Sequence, residues 1–371
     1  MKRLLSLLLV LLVSVSLCAC ITIEINTGRP SASAESSAGA ESQSVSGTDS
    51  GEPAESSAAP DESETGASQS ESSAEPLPEP QFNPLLWKVS DGNGNYVYLF
   101  GTIHVGDERT LEVIKQIEPF IGECEAVAAE FDVVAYQQDT EAMMRDMELF
   151  FYTDGTTIYD HLPADLINEA IEFMINAGMG YSPAYEQMTA AIWWQLVDGV
   201  MLYTSESGLT SDYGVDMKIL ERCHKEGKKV LELESAQSQY SMMNSFEDGF
   251  YEVMIRDSLD SAPYYDESLN EMYEAWLSGD RETIALYVDF DEEAAAGTED
   301  EWLREAMEYY NYKMLTERNK NMFEKARGWL DGGKKVFVTA GEAHMIASDG
   351  LVNLFEEAGY RVERIGFTIK Y

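Results

Sequence analysis

The sequence is poor in basic residues and in histidine and cysteine. Its 371 residues include 25 lysines and arginines against 67 aspartates and glutamates, with four histidines and four cysteines. So large an excess of negative charge argues against nucleic acid and anionic lipid as partners of the surface, and favours cations and basic peptides. The motif H-E-x-x-H is also absent, which excludes a thermolysin-like zinc site.

Long hydrophobic runs are missing except at the amino terminus. Lys2 and Arg3 precede an apolar run over residues 4–17, which is the pattern of a secretory signal peptide and is too short for a comfortable membrane-spanning helix. The run ends in Leu17-Cys18-Ala19-Cys20, which resembles a bacterial lipobox. Residues 1–20 therefore predict a lipoprotein signal peptide and an extracytoplasmic location, with a lipid on Cys20 as the membrane anchor. Ordinary cleavage and an uncleaved anchor are the alternatives.

Aromatic residues are missing from the next segment until Phe82. Serine, alanine, glutamate and proline dominate residues 21–82, and no basic residue offsets the acidic ones between residues 31 and 80. Such a composition cannot bury enough apolar surface to fold, so we predict a disordered, acidic tether. Residues 83–371 then form the folded domain, which carries a net charge near −33.

Two of the four histidines lie in the same short pattern. A β-like apolar run ends in Gly-x-x-His at Gly101–His104, and again at Gly341–His344. A histidine placed there lies at the carboxyl edge of a strand, where open α/β sheets build their sites. Two such edges brought together would present two imidazoles to one point, as in a metal site or an acid/base pair.

The order of the predicted elements favours an α/β fold. A hairpin, a helix and a buried strand come first, helices surround a single strand in the middle, and two strands flank a helix at the end. We predict strands at 85–89, 96–100, 125–132, 229–234, 334–340 and 361–369, helices at 111–121, 163–177, 183–203, 212–227 and 351–358, further helices within 241–330 around an acidic loop at 289–300, and a loop at 341–344. The predicted architecture is a central mixed sheet, built from both ends of the domain, with a large helical middle region.

An ordered set of short motifs resembles the TraB/GumN family, which includes the animal TIKI proteins. The set comprises Gly101-Thr102-Ile103-His104, Glu130 with Asp132, Gly214-Val215-Asp216, Leu233-Glu234 with Gln239, Arg318-Asn319, and Gly341-Glu342-Ala343-His344 followed by Gly350. The resemblance covers nearly all of residues 85–371. It implies an α/β fold similar to those of ChaN and erythromycin esterase, with an active centre of paired Gly-x-x-His motifs and a glutamate. It also implies divalent-metal-dependent proteolysis, the activity of the TIKI proteins.

His104, His344 and Glu130 form a predicted ligand set of two histidines and one carboxylate. Such a set leaves coordination positions open for water and substrate, and Zn²⁺, Mn²⁺ or Co²⁺ would suit it. The alternative is that both histidines cap strand ends through hydrogen bonds.

Two further residues are candidates for catalytic roles. Glu342 would act as general base to a bound water, or else is a solvated loop carboxylate. Arg318 would bind a substrate carboxylate or stabilise an oxyanion, or else forms a structural ion pair.

The remaining polar candidates have structural roles as their simpler interpretation. Asp132 would orient a histidine or end a strand. Asp216 and Glu234 would be strand-end site residues, or else a helix-start cap and a core-edge acid respectively, and we favour the second interpretation. We predict surface positions for both His161 and His224. Sequence leaves open whether Cys124 and Cys223 pair, and we favour two buried free thiols.

The hypothesis that fits these observations is a lipid-anchored, extracytoplasmic, metal-dependent hydrolase that acts on peptide or protein substrates. The alternative is a non-catalytic lipoprotein that sequesters a peptide or haem in the same cleft. A structural cell-wall protein is the third class.

Overall fold

A computed structural model describes residues 82–288 and 300–367. The predicted signal peptide, the tether apart from Phe82, and the predicted acidic loop apart from Asp300 lie outside the described residues. Within the described ranges, no helix has both the length and the apolar character that a membrane crossing requires.

Six strands form one mixed sheet. They are β1 (Leu86–Ser90), β2 (Tyr96–Thr102), β3 (Ala126–Ala129), β4 (Lys229–Glu232), β5 (Val336–Gly341) and β6 (Arg361–Ile365), in the spatial order β4-β3-β5-β2-β1-β6. Neighbours are parallel from β4 to β2, whereas β1 is antiparallel to both β2 and β6. The predicted α/β sheet from both ends of the domain is confirmed.

Helices supply the middle of the chain and the connections between strands. They are α1 (Arg109–Glu123), α2 (Val133–Tyr136), α3 (Thr140–Asp146), α4 (Ile158–His161), α5 (Ala164–Asn176), α6 (Ala190–Thr204), α7 (Val215–Glu226), α8 (Ala236–Met243), α9 (Asp248–Ser261), α10 (Tyr265–Ser278), α11 (Arg281–Val288), α12 (Glu301–Asn311), α13 (Glu317–Asp331), α14 (Glu342–Ile346) and α15 (Leu351–Glu357). A π-helical turn, Tyr312–Thr316, joins α12 to α13.

The hairpin of β1 and β2 starts the sheet as predicted. Asp91 accepts hydrogen bonds from the backbone N–H groups of Asn93 and Asn95, at 2.8 and 3.1 Å. Gly92 and Gly94 have φ angles of 77° and 99°, which glycine adopts at little cost. This turn sets the register in which Leu86 pairs with Phe100.

Three predicted elements differ from the structure. The helix predicted at 183–203 is divided into a 3₁₀ turn, Pro183–Gln187, and α6, because the backbone is extended at Met188 and Thr189. The strand predicted at 125–132 ends at Ala129, because the Asp132 side chain accepts the Ala135 N–H at 3.0 Å and begins α2 there. Residues 341–344, predicted as a loop, instead lead into α14, for which Gly341 is the residue before the first turn. His344 therefore lies on a short buried helix.

Candidate active site at the sheet edge

The carboxyl ends of three neighbouring parallel strands hold the predicted site residues. β5 lies between β3 and β2, with Thr102 paired to Gly341 at the edge. Glu130 follows β3, His344 lies just after β5, and His104 follows β2. Parallel strands end on one side, so this topology brings together side chains from positions far apart in the sequence.

His104 is positioned by a hydrogen bond to the neighbouring backbone and by a contact with its own ring. The Val215 N–H donates to the Ile103 carbonyl at 3.0 Å, and Asp216 Oδ2 lies 2.8 Å from His104 Nδ1. A Cβ at Gly214 would lie 2.5 Å from the His104 carbonyl oxygen, so this close approach requires glycine. Burial alone would lower the pKa of His104, but the Asp216 carboxylate raises it overall. The Nε2 atom of the ring is buried and has no hydrogen-bond partner among the described residues.

His344 shows the same arrangement with a different partner. Its side chain is fully buried, and its Nδ1 lies 2.6 Å from Asn319 Oδ1. Its Nε2 is 4.0 Å from Glu130 Oε1 and makes no hydrogen bond to any described residue. Burial and the Arg318 charge lower the pKa of His344 well below its ordinary value, so the ring is neutral at neutral pH.

Glu130 is held by three donors. It accepts hydrogen bonds from the Gly341 N–H at 2.8 Å, from Gln239 Nε2 at 2.9 Å and from Arg318 Nη2 at 2.8 Å. Burial would raise the pKa of Glu130, but Arg318 and His104 reverse that effect and lower it. The Glu130 carboxylate is therefore ionised at neutral pH.

Arg318 forms the structural ion pair that the sequence left as an alternative. Its guanidinium lies 2.7–3.0 Å from the Glu234 oxygens, in addition to its contact with Glu130. Its Nη1 donates to the Met314 carbonyl, which belongs to the π-helical turn, at 3.2 Å. A π-turn inserts one extra residue into a helix and redirects the side chains after it, and such turns are frequent at functional sites. Arg318 therefore acts mainly on the carboxylates beside it.

The chemistry of this edge suits a cation. Glu130 and Glu234 pair with the guanidinium of Arg318, and Asp216 pairs with His104, so three carboxylates outnumber the positive charges even when His104 is protonated. The two unpartnered Nε2 atoms are suitable nitrogen donors. Within residues 82–288 and 300–367, however, no three His, Cys, Asp or Glu side chains are arranged to hold a metal ion together. The ligand set of His104, Glu130 and His344 stays a prediction.

Glu342 lies in a different charge environment. Its carboxylate packs against Gly101, where an added Cβ would lie 1.8 Å from Glu342 Oε2. Burial raises the pKa of Glu342 to about 8, and the charges acting against that rise come from Arg364 on β6 and Arg281 on α11. It is buried, which removes the alternative of a solvated loop carboxylate. Its role as a general base stays a prediction.

The other sequence candidates lie apart from the imidazole pair or serve it indirectly. Asp132 does contact a histidine, but it is His224, whose Nε2 lies 2.8 Å from Asp132 Oδ1. His161 stacks on Tyr152, with ring centroids 3.9 Å apart. Cys124 and Cys223 are both buried and free, as favoured from the sequence. The predicted lipidation residue, Cys20, lies outside the described residues.

Sequence reasoning missed the partners of the two imidazoles. Asp216 is more than a helix cap, because it contacts His104, and Glu234 is more than an acid at the edge of the core, because it contacts Arg318. Asn319 and Gln239 were recognised only as parts of motifs. The signal that could have found them is their position in the ordered motif set, next to charged or catalytic residue types.

The fold and the site define an α/β protein with a polar, partly charged centre where its parallel strands end. The family model described as TraB/PrgY/gumN matches residues 85–364, which is most of the chain, and the chain belongs to this family. No curated protein and no solved structure matches it, so the likeness to ChaN stays a prediction.

Proposed function

We propose that this chain is an extracytoplasmic, metal-dependent hydrolase that acts on peptides. The observation that carries the proposal is the pair of buried imidazoles at one sheet edge. Each ring has Nδ1 bound to a polar side chain and Nε2 without a partner among the described residues. Histidines that ligate metals characteristically use the second ring nitrogen in this way.

The residues fit a divalent cation in their donors and charge. His104 and His344 would hold it through Nε2, and Glu130 Oε1 keeps a lone pair beyond its bond from Gly341 for a third contact. The excess of carboxylates over Arg318 favours a dication in the same place. When bound, the metal would polarise a substrate carbonyl and lower the pKa of a bound water.

The protein's own groups hold this arrangement in place. Arg318 lowers the pKa of Glu130 and pairs with both Glu130 and Glu234, so it is engaged with them rather than available to a substrate carboxylate. Asp216 raises the pKa of His104 and so favours its protonated form, whereas the lowered pKa of His344 keeps that ring neutral. Burial raises the pKa of Glu342 to about 8, so it holds its proton at neutral pH, and the general-base role predicted from the sequence would require that proton to be released first.

The experiment uses the purified full chain with a peptide mixture and added Mn²⁺, Co²⁺ or Zn²⁺. We expect cleavage that a chelator stops and the metal restores. His104→Ala should lose cleavage while keeping its circular dichroism spectrum. His161→Ala is the matched control, because His161 contacts Tyr152 and Asp248 instead, and it should keep full activity.

Two outcomes would contradict the proposal. Stoichiometric binding of a peptide or haem without product would favour the sequestering alternative. Activity that survives in His104→Ala would show that the imidazole pair is not the centre.

We also propose that a lipid on Cys20 anchors the chain to the outer face of a membrane. The lipobox-like Leu17-Cys18-Ala19-Cys20 after an apolar run supports this. Cys20→Ser should abolish incorporation of labelled palmitate, and unchanged incorporation would remove the proposal.

A further inference from the structure

Three side chains form a line that begins outside the candidate site and ends at one of its imidazoles. Asp349 lies in the turn after α14, and its Oδ1 is 3.3 Å from Asn319 Nδ2. Asn319 Oδ1 is in turn 2.6 Å from His344 Nδ1. Asn319 and His344 are both 0% exposed, so water does not compete for the bond between them, and Asp349 is half-buried.

The chemistry of each group fixes the direction of the line. An ionised aspartate only accepts hydrogen bonds, whereas an amide has one donor end and one acceptor end. Asp349 therefore takes the Nδ2 end of Asn319 and leaves Oδ1 facing the imidazole. The reverse orientation of the amide would place two acceptor oxygens, those of Asn319 and Asp349, against each other.

The orientation of the Asn319 amide decides which ring nitrogen of a neutral His344 carries the proton. A ring nitrogen that faces a carbonyl oxygen carries the proton, and the other nitrogen then keeps its lone pair. His344 is consequently held with the proton on Nδ1 and the lone pair on Nε2, the atom without a partner among the described residues. The other tautomer would place a proton on Nε2 and prevent it from binding a cation.

We propose that Asp349 is a positioning residue that selects the tautomer of His344 through Asn319. The functional consequence rests on the proposed function, since the lone pair matters because it would bind the metal. His104 needs no such relay, because the Asp216 carboxylate contacts its Nδ1 directly at 2.8 Å.

The test variant is Asp349→Asn, which keeps the size of the side chain and adds a donor. The new amide can donate to Asn319 Oδ1, which lets Asn319 turn and present Nδ2 to His344. Nitrogen-15 NMR of the imidazoles, in the metal-free full chain at pH 8, distinguishes the two tautomers. The chain has only four histidines, so the His344 signal can be assigned by single substitutions.

We expect the wild-type His344 ring to be protonated on Nδ1. The new amide at position 349 can accept or donate and no longer fixes Asn319, so in Asp349→Asn we expect a population of His344 with the proton on Nε2 to appear. The double variant Asp349→Asn with Asn319→Asp exchanges the two side chains and restores an acceptor against Nδ1, so it should restore the wild-type tautomer. Asp248→Asn is the matched control, because Asp248 lies 3.0 Å from His161 Nδ1, and it should leave His344 unchanged.

A second measurement follows Mn²⁺ binding by calorimetry. Asp349→Asn should weaken binding about 10- to 100-fold, the usual range for a partner of a ligating histidine, and Asp248→Asn should not. A proton on Nε2 in the wild type, or an unchanged tautomer in Asp349→Asn, would overturn the inference. If Asp349→Asn does not fold, the wild-type spectrum still decides it. The tautomer is read without metal or substrate, so the inference and the hydrolase proposal can fail separately.

Discussion

Two regions of the molecule bury acidic side chains and treat them in opposite ways. At the sheet edge, Glu130 and Glu234 share the guanidinium of Arg318, and the pKa of Glu130 is lowered. In the helical layer, Asp198 on α6 accepts one hydrogen bond, from Ser258 Oγ on α9 at 2.8 Å, and burial raises its pKa to about 7.

The difference lies in what compensates each buried carboxylate for the loss of water. A buried carboxylate stays charged only when a cation and several donors compensate the loss of water. The sheet edge supplies that compensation, whereas the helical layer leaves Asp198 to hold its proton. The buried charge at the candidate site therefore depends on Arg318 and on the other donors around Glu130.

The largest effect is expected from removing Arg318, whose guanidinium Glu130 and Glu234 share. Arg318→Met leaves Glu130 and Glu234 buried at about one-tenth side-chain exposure without their partner, and we expect a loss of roughly 3–5 kcal/mol in the free energy of unfolding. Urea denaturation measures it. Arg327→Met is the control on the same helix, since Arg327 pairs with exposed Glu324, and it should cost less than about 1 kcal/mol. Equal losses would show that the sheet edge does not depend on this pairing.

Asp198→Asn, in the helical layer, should stabilise the protein, which is the opposite of the effect expected for Arg318→Met. The folded protein holds the Asp198 proton up to about pH 7, whereas the unfolded chain releases it near the ordinary aspartate pKa of 3.8. This contribution to stability is therefore fully present below pH 4 and is lost as the pH rises through 7. Asparagine keeps the acceptor for Ser258 without ionising, so the variant should be more stable by roughly 4 kcal/mol at pH 8 and similar at pH 4.

Thermal unfolding at the two pH values checks this expectation. Glu169→Gln, at an exposed position on α5, is the control and should behave like the wild type at both. If the gain in stability of Asp198→Asn over the wild type is no larger at pH 8 than at pH 4, the assignment of Asp198 as a protonated acid is contradicted.

A smaller effect is expected from the glycine that brings α7 against His104. An alanine Cβ at Gly214 would lie 2.5 Å from the His104 carbonyl oxygen, so Gly214→Ala should cost about 1–3 kcal/mol and weaken metal binding. Gly328→Ala is the control, because its Cβ on α13 would meet nothing within 4 Å, and it should stabilise by about 0.5–1 kcal/mol. Calorimetry and urea denaturation measure both effects, and a neutral Gly214→Ala would contradict the close approach.

The sequence was most informative where local pattern decides structure. Apolar runs predicted all six strands, and strand-end logic placed Glu130 and His344 at one edge of the sheet, where Glu130 Oε1 lies 4.0 Å from His344 Nε2. The interior of β2 and β5 is almost wholly buried, so its sequence is continuously apolar and easy to recognise.

The partners of the site residues could not be predicted in the same way. Asp216 reaches His104 across 112 positions, and Gln239 reaches Glu130 across 109. Both lie on helices whose own sequence explains a polar residue as a cap or a solvent-facing position. Only the packing of those helices against the sheet edge decides which polar side chain becomes a partner.

The place of β5 has a consequence for how the chain is made. This strand separates β2 from β3, yet it is the last of the parallel strands to be synthesised. Until about residue 341 is available, the earlier strands have no central neighbour and Glu130 lacks its hydrogen bond from the Gly341 N–H. Assembly must therefore wait for distant pairing, which folds slowly, and a fragment that ends before β5 should yield no stable half-protein.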